Sequence, residues 1–190
     1  MSLPPLDPRT TALVLIDLQK GIAGDGRAPY ASEDVVARSK ALAERFRAAS
    51  SPVFLVHVHW AKDYSDALKQ PVDQPAQLPA DGPPAGWADL VDGLKHDGDI
   101  IIHKRNWGAF HGTDLDLHLR RRGIQTIVLA GIASNFGVES TARDAWERNY
   151  NLMVVEDACT TTSVEAHALA FKYIFPRISR VVKTADVTLA

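Results

Sequence analysis

Cysteine is nearly absent from this sequence, since Cys159 is the only one among its 190 residues. A single cysteine cannot form a disulfide within the chain or build a metal cluster held by several thiolates. Chains without disulfides are typical of reducing compartments, so we expect a cytoplasmic protein. Nothing around Cys159 favours a thiolate, and free cysteines are usually buried apolar side chains, so we expect no catalytic role for it.

The sequence also lacks a long apolar run and an excess of positive charge. Its first residues are rich in proline and do not combine a basic segment with an apolar one, and no apolar stretch approaches the length of a transmembrane helix. We therefore expect neither export nor membrane insertion. The net charge is −2, with 21 lysine and arginine residues against 23 aspartate and glutamate residues, which gives no support to nucleic-acid binding.

What the chain does contain is an alternation of short Val, Ile and Leu runs with longer stretches of helical periodicity. This alternation is typical of βαβ units, and continuous apolar runs indicate strands covered on both faces. It predicts one α/β domain over residues 1–190, a doubly wound, mostly parallel sheet of about six strands in a Rossmann-type three-layer sandwich. We place the strands at Thr11–Leu18, Val53–His59, Asp99–His103, Thr126–Ala130, Leu152–Glu156 and near Arg180–Lys183.

Four helices are predicted from capping residues and apolar spacing. Ser32, followed by two acidic residues, is the expected N-cap of the first, which buries Val35, Leu42 and Phe46. Pro176 is expected to end the last. The other three helices are predicted at Thr113–Arg122, from Ser134 or Asn135 to Asn149, and at Ser163–Phe175.

The segment from Trp60 to Gly86 departs from this pattern, because it contains several prolines and little periodicity. Long irregular segments in compact domains are often binding loops, lids or partner contacts. A tolerated surface insertion explains the same composition equally well, so both interpretations stand.

Three strand ends carry polar groups that could form one site. Asp17 closes the first apolar strand, Lys104 follows the third, and the fourth runs through Gly131–Val138 into a helix. Ligands of open parallel sheets bind beyond the carboxyl ends of the strands, where the strand order reverses, and helix N-termini bind anions. Alone, Asp17 could cap a loop and Lys104 could be a surface charge; together they predict an active site.

Three stretches carry a resemblance to a known family: LVLIDLQKGI around Asp17, IIHKRNWGAF around Lys104, and GIASNFGVESTARDAWE after the fourth strand. They resemble the isochorismatase-like hydrolases, also called the cysteine hydrolase superfamily. The resemblance extends over almost the whole chain and implies a triad of Asp17, Lys104 and a cysteine at the position of Gly137. It also implies a cis peptide bond between Ile132 and Ala133.

Gly137 offers no nucleophile, so covalent thioester catalysis at this position is excluded. True isochorismatases, as the resemblance implies, also have glycine here, and their aspartate protonates an enol ether before water completes the cleavage. We therefore expect non-covalent acid/base catalysis by Asp17 and Lys104 on a small substrate. Lys104 would pair with a substrate carboxylate and leave Asp17 protonated, which favours an anionic substrate.

The backbone amides of residues 136–138 are expected to bind a carboxylate or a developing oxyanion. Trp107 and Phe110 could form a pocket wall or belong to the core. Ala133 and Asn135 match a tyrosine and a histidine of true isochorismatases, so substrate identity does not carry over. The predicted substrate-binding residues are Gln19, Trp107, Phe110, Ala133, Asn135 and Phe136.

No cofactor and no metal are expected. Some members of this superfamily bind zinc through aspartate and histidine; here we expect His57 and His59 to face opposite sides of the second strand, where they could not share an ion. A homo-oligomer is expected from the resemblance. Two alternatives remain: an inert ligand-binding or interaction protein on the same fold, and an amide hydrolase that uses a water activated by Asp17.

Overall fold

The computed structural model describes residues 4–190 and contains one six-stranded sheet, in which every strand pairs parallel to its neighbours. The order β3-β2-β1-β4-β5-β6 is that of the doubly wound Rossmann type, so the predicted fold class is confirmed. The strands are β1 (Thr11–Ile16), β2 (Val53–Val58), β3 (Ile100–Lys104), β4 (Thr126–Ile132), β5 (Asn151–Thr160) and β6 (Arg180–Val182).

The first four helices fall where they were predicted, with different ends, and a fifth lies at and beyond Phe175, where the last predicted helix was expected to end. They are α1 (Ser32–Ala48), α2 (Leu115–Arg121), α3 (Glu139–Glu147), α4 (Val164–Leu169) and α5 (Phe175–Ile178). A π-helical turn, Ser134–Val138, leads directly into α3, and a second one, Ala170–Ile174, joins α4 to α5.

Two predicted helix ends are wrong, each because a local contact has another role. Ala31 is the N-cap of α1, while the Ser32 hydroxyl donates to the Gly24 carbonyl at 2.7 Å and ties the preceding loop to the helix. Pro176 lies in the first turn of α5 rather than ending a helix, a position where its missing N–H is harmless.

Burial explains why the apolar runs form the strands. All six residues of β1 and all six of β2 are buried, as expected for strands with helices on both faces. Val35, Leu42 and Phe46 of α1 are fully buried, as their spacing predicted. Each such side chain contributes about 1.5–3 kcal/mol to folding.

The strand order reverses next to β1. From β1 the chain proceeds to β2 and β3 on one side, and then crosses to β4 on the other side of β1. Ile16 and Gly131 are partners at the carboxyl ends of β1 and β4, while Val58 and Lys104 are partners at those of β2 and β3. The residues that follow these strands therefore meet at one edge of the sheet.

None of the helices within residues 4–190 combines the length and the apolar character that crossing a membrane requires.

Gly131 is required where β1 and β4 approach each other. Its φ is +123°, and a Cβ atom there would overlap the carbonyl oxygen of Ile16. We predict that Gly131→Ala lowers the free energy of unfolding by more than about 3 kcal/mol, because backbone must move to accept the methyl group. Urea denaturation measures this loss.

Gly123→Ala is the matched control. Gly123 has a φ of +67° with open space around it, so alanine there should cost only about 1 kcal/mol of conformational strain. Equal losses in the two variants would contradict the close approach at Gly131.

Candidate active site

A cavity of about 280 Å³ lies at the carboxyl ends of β1, β2, β3 and β4, where the strand order reverses. Its polar side chains come from Asp17, Arg27, Lys104 and Asn106, and most of the remaining wall is aromatic or aliphatic. A larger depression lies beside Pro52 and Val53 at the amino end of β2, but its Arg47 and Asp99 already bind each other. The smaller cavity is the one that lies at the carboxyl ends of the strands, where ligands of open parallel sheets bind.

Asp17 and Lys104 form a buried ion pair at the floor of this cavity. Lys104 Nζ lies 2.8 Å from Asp17 Oδ2 and also donates to the carbonyl oxygen of Asn106 at 3.0 Å. The two residues are only 5% and 2% exposed, and within residues 4–190 Asp17 Oδ1 accepts no hydrogen bond. Lys104 thus holds Asp17 Oδ2, the oxygen nearest Gly137, while Oδ1 is buried without a hydrogen-bond partner.

Burial raises the pKa of Asp17 from 3.8 to about 6, although Lys104 opposes this shift. Desolvation disfavours the charged carboxylate more strongly than the neighbouring ammonium favours it. Asp17 is therefore poised to gain or lose a proton near neutral pH, as an acid/base catalyst requires. Its φ of +51° is uncommon for a residue other than glycine and is compatible with a strand end that turns sharply into the cavity.

The turn after β4 brings Gly137 against Asp17. A Cβ atom at residue 137 would lie 3.1 Å from Asp17 Oδ2 and 3.0 Å from Ile16 Cγ2. The expected cis peptide between Ile132 and Ala133 is present.

Two of the three amides of the expected anion site on this turn are already occupied. The amides of Phe136 and Val138 both donate to the Ala133 carbonyl at 3.1 Å, so they are occupied within the turn.

Six of the nine predicted site residues line the cavity: Asp17, Trp107, Lys104, Ala133, Phe136 and Gly137. The other three lie outside it. Gln19 is fully buried and cross-links the backbone, because its amide binds Val58 N, Val58 O and Trp87 O. Phe110 packs in the core against Tyr150, and Asn135 accepts a hydrogen bond from Thr161.

Two tryptophans line the cavity: Trp60, which begins the proline-rich segment, and Trp87, which directly follows it. Trp60 and Trp87 stack with ring centroids 5.4 Å apart, and Trp60 Nε1 donates to the Arg105 carbonyl. On a second side, Trp107 and Phe136 meet edge to face at 4.8 Å. Of residues 60–86, Trp60 is the one that lines the cavity, so both interpretations of the segment still stand.

Behind the π-helical turn Ser134–Val138 lies a polar chain that no pattern in the sequence predicted. His167 Nδ1 is 2.8 Å from the Ser134 hydroxyl, and its Nε2 is 3.2 Å from Glu156 Oε1. Glu156 also accepts from Tyr30 and pairs with Lys183. Ser134 is fully buried and does not line the cavity, so this chain holds the turn in place.

Cys159 also lies away from the cavity. It is fully buried on β5 beside Gly131, and burial raises the pKa of its thiol well above the ordinary value.

The expected orientation of the two histidines is wrong, because residues two apart on a strand share a face. His57, His59 and His103 line the same surface depression, and the His57 and His103 ring centroids are 4.5 Å apart. As placed, no three metal-binding side chains within residues 4–190 converge on one ion.

The family model for the isochorismatase domain matches residues 11–186. The chain belongs to the isochorismatase family. Among curated relatives, the uncharacterized isochorismatase family protein YecD of Escherichia coli O157:H7 is 52% identical over 183 residues, which cover 96% of each chain. A solved isochorismatase family protein from Burkholderia thailandensis superposes with a TM-score of 0.92 at 46% identity, covering 98% of this chain and 97% of that one.

A relative with a named activity is more distant. Ureidoacrylate amidohydrolase RutB of Methylobacterium radiotolerans is 36% identical over 178 residues, 80% of this chain and 68% of its own length. These relationships place the chain among the isochorismatase-like hydrolases.

The raised pKa of Asp17 can be tested without a substrate. We predict that ¹³C NMR titration of the Asp17 carboxyl gives a pKa near 6. Lys104→Met should move this pKa upward, because the ammonium that favours the carboxylate is gone. Lys40→Met, which removes a half-buried ammonium of α1 outside the cavity, should leave it unchanged. A carboxyl pKa at or below 4 in the wild type would contradict the balance described above.

Proposed function

We propose that this isochorismatase-family hydrolase cleaves a small anionic substrate by non-covalent acid/base catalysis, with Asp17 moving the proton and Lys104 as its electrostatic partner. The observation that carries the proposal is Asp17 itself: a buried carboxyl in the cavity wall, paired with Lys104 and with a pKa of about 6. Such a group can hold a proton near neutral pH and deliver it to a bound molecule.

The positions of the possible nucleophiles support a non-covalent route. Cys159 is buried away from the cavity, and residue 137, which faces Asp17, is glycine. Ser134 is held by His167 outside the cavity wall. Water is therefore the nucleophile in the proposed reaction.

An enol ether fits this arrangement. Protonated Asp17 gives its proton to the terminal carbon of the C=C bond, and the ether oxygen stabilises the resulting cation. Water adds to that cation and loses a proton, and the hemiketal then collapses to a ketone and an alcohol. Lys104, 2.8 Å away, stabilises the Asp17 carboxylate left by the first step.

The charge of the cavity supports an anionic substrate. The cavity lining contains two cationic side chains, Arg27 and Lys104, and one carboxyl group, Asp17. Its net charge is therefore positive whether Asp17 is protonated or ionised. Lys104 already binds Asp17 and the Asn106 carbonyl, so it is poorly placed to take the pairing role that the sequence suggested.

Amide hydrolysis is the second candidate, favoured by the relationship to ureidoacrylate amidohydrolase RutB. Above pH 6 an ionised Asp17 could activate a water molecule as a general base. The family relationships do not favour an inert binding protein.

We predict that Asp17→Asn lowers kcat/KM by at least about 100-fold, because asparagine cannot exchange a proton. The assay panel contains isochorismate, simpler enolpyruvyl ethers and ureidoacrylate. Asp7→Asn changes a half-exposed aspartate before β1 that does not line the cavity; it is the control and should retain wild-type turnover. Undiminished turnover in Asp17→Asn would sink the mechanism.

The pH profile separates the two candidates. If Asp17 is the acid, kcat/KM should fall as pH rises through about 6; if it is the base, kcat/KM should rise there. A profile flat between pH 5 and 7 would contradict both roles.

Iodoacetamide tests the absence of thiol chemistry. We predict that neither the reagent nor Cys159→Ala changes turnover more than about twofold, because the thiol is buried and protonated. Loss of turnover in a folded Cys159→Ala variant would show that the thiol is needed, whereas inactivation by the reagent that the active variant resists would show only that the thiol is accessible.

A further inference from the structure

Arg27 is a cation of the cavity wall that neither the proposed acid/base chemistry nor the fold accounts for. We propose that Arg27 is the anchor that binds the carboxylate of the substrate, and that the substrate is a monocarboxylate with a planar, unsaturated body. This inference rests on the proposed function for the location of the reacting bond at Asp17. The anchor itself can be tested by binding alone.

The position of the Arg27 guanidinium is fixed from within its own loop. Nε and Nη2 both donate to the carbonyl oxygen of Ile22, at 3.1 and 2.6 Å. A guanidinium has five N–H donors, so the Nη1–Nη2 edge keeps donors for a second acceptor. That edge matches the two oxygens of a carboxylate, which arginine binds in a bidentate geometry.

Arg27 lacks an acidic partner within residues 4–190. None of the ion pairs formed there includes it, whereas Lys104, the other cation of the cavity, is paired with Asp17. Burial lowers the pKa of Arg27, and no nearby carboxylate offsets that effect. A half-buried charge held by one carbonyl gains from an anion that replaces its lost hydration.

The rest of the cavity determines the class of anion. A phosphate needs more hydrogen-bond donors than a carboxylate, and two amides of the turn Ser134–Val138 are already bound to the Ala133 carbonyl. The surroundings therefore favour a carboxylate over a phosphate. The aromatic walls, formed by Trp60 with Trp87 and by Trp107 with Phe136, suit a flat body between them. About 280 Å³ is small for a ligand cavity, which restricts the substrate to a small molecule.

Matched acids and amides test the anchor at pH 7.5. Isothermal titration calorimetry would measure cinnamate against cinnamamide and benzoate against benzamide. We expect the wild type to bind at least one acid tenfold or more tightly than its amide. Arg27→Met should remove this preference by weakening the acid alone, and Arg27→Lys should restore part of it, since a point charge replaces the bidentate edge.

Arg9→Met is the control, because it removes an exposed guanidinium before β1 at the opposite edge of the sheet and should keep the acid preference. Equal binding of acid and amide by the wild type in both pairs, including no binding of either, would overturn the anchor. So would an acid preference that survives in Arg27→Met.

Turnover is scored separately. Arg27-dependent acid binding without hydrolysis of any substrate in the panel would keep the anchor and reject the proposed hydrolase. If Asp17→Asn abolishes turnover while Arg27→Met leaves KM unchanged, the proposed hydrolase is kept and the anchor is rejected.

Discussion

The buried pair of Asp17 and Lys104 is the interaction on which the site depends. Neither charge would be stable alone in a nearly dry position, and the pair is held by strands that do not adjoin each other, β1 and β3. β2 lies between them and keeps the two strand ends at a constant separation. The sheet therefore sets the balance between desolvation and attraction that keeps the pKa of Asp17 near 6.

The polar chain of Ser134, His167 and Glu156 supports this ion pair from the other side of β4. Glu156 on β5 and His167 on α4 fix the Ser134 hydroxyl, and Ser134 begins the turn that presents Gly137 to Asp17. Burial lowers the pKa of His167, which keeps the ring neutral, with one nitrogen to donate and one to accept. The order serine, histidine, acid occurs here without a catalytic role, since the serine does not line the cavity.

Much of the fold was predictable from the sequence, because parallel strands covered on both faces appear as unbroken apolar runs. The runs at Thr11–Leu18 and Val53–His59 located β1 and β2 within two residues at each end, and the order of strands placed Asp17 and Lys104 at one edge. Gln19 was predicted to bind substrate, but its side chain binds the backbone of Val58. The sequence near Asp17 would be the same in either case, so it could not distinguish the two roles. Arg27, Trp60 and Trp87 were not predicted, since they come from segments without periodicity.

Trp60 and Trp87 bracket the proline-rich segment, and both are attached to the body of the protein. Trp60 donates to the Arg105 carbonyl, while the Trp87 carbonyl accepts from Gly21 N and the Gln19 amide. The closure entropy of a loop changes only slowly with its length. We therefore expect insertions or deletions between these two anchors to change the loop itself while Trp60, Trp87 and the Asp17–Lys104 pair keep their places, so the length of this loop can vary without a change at the floor of the cavity.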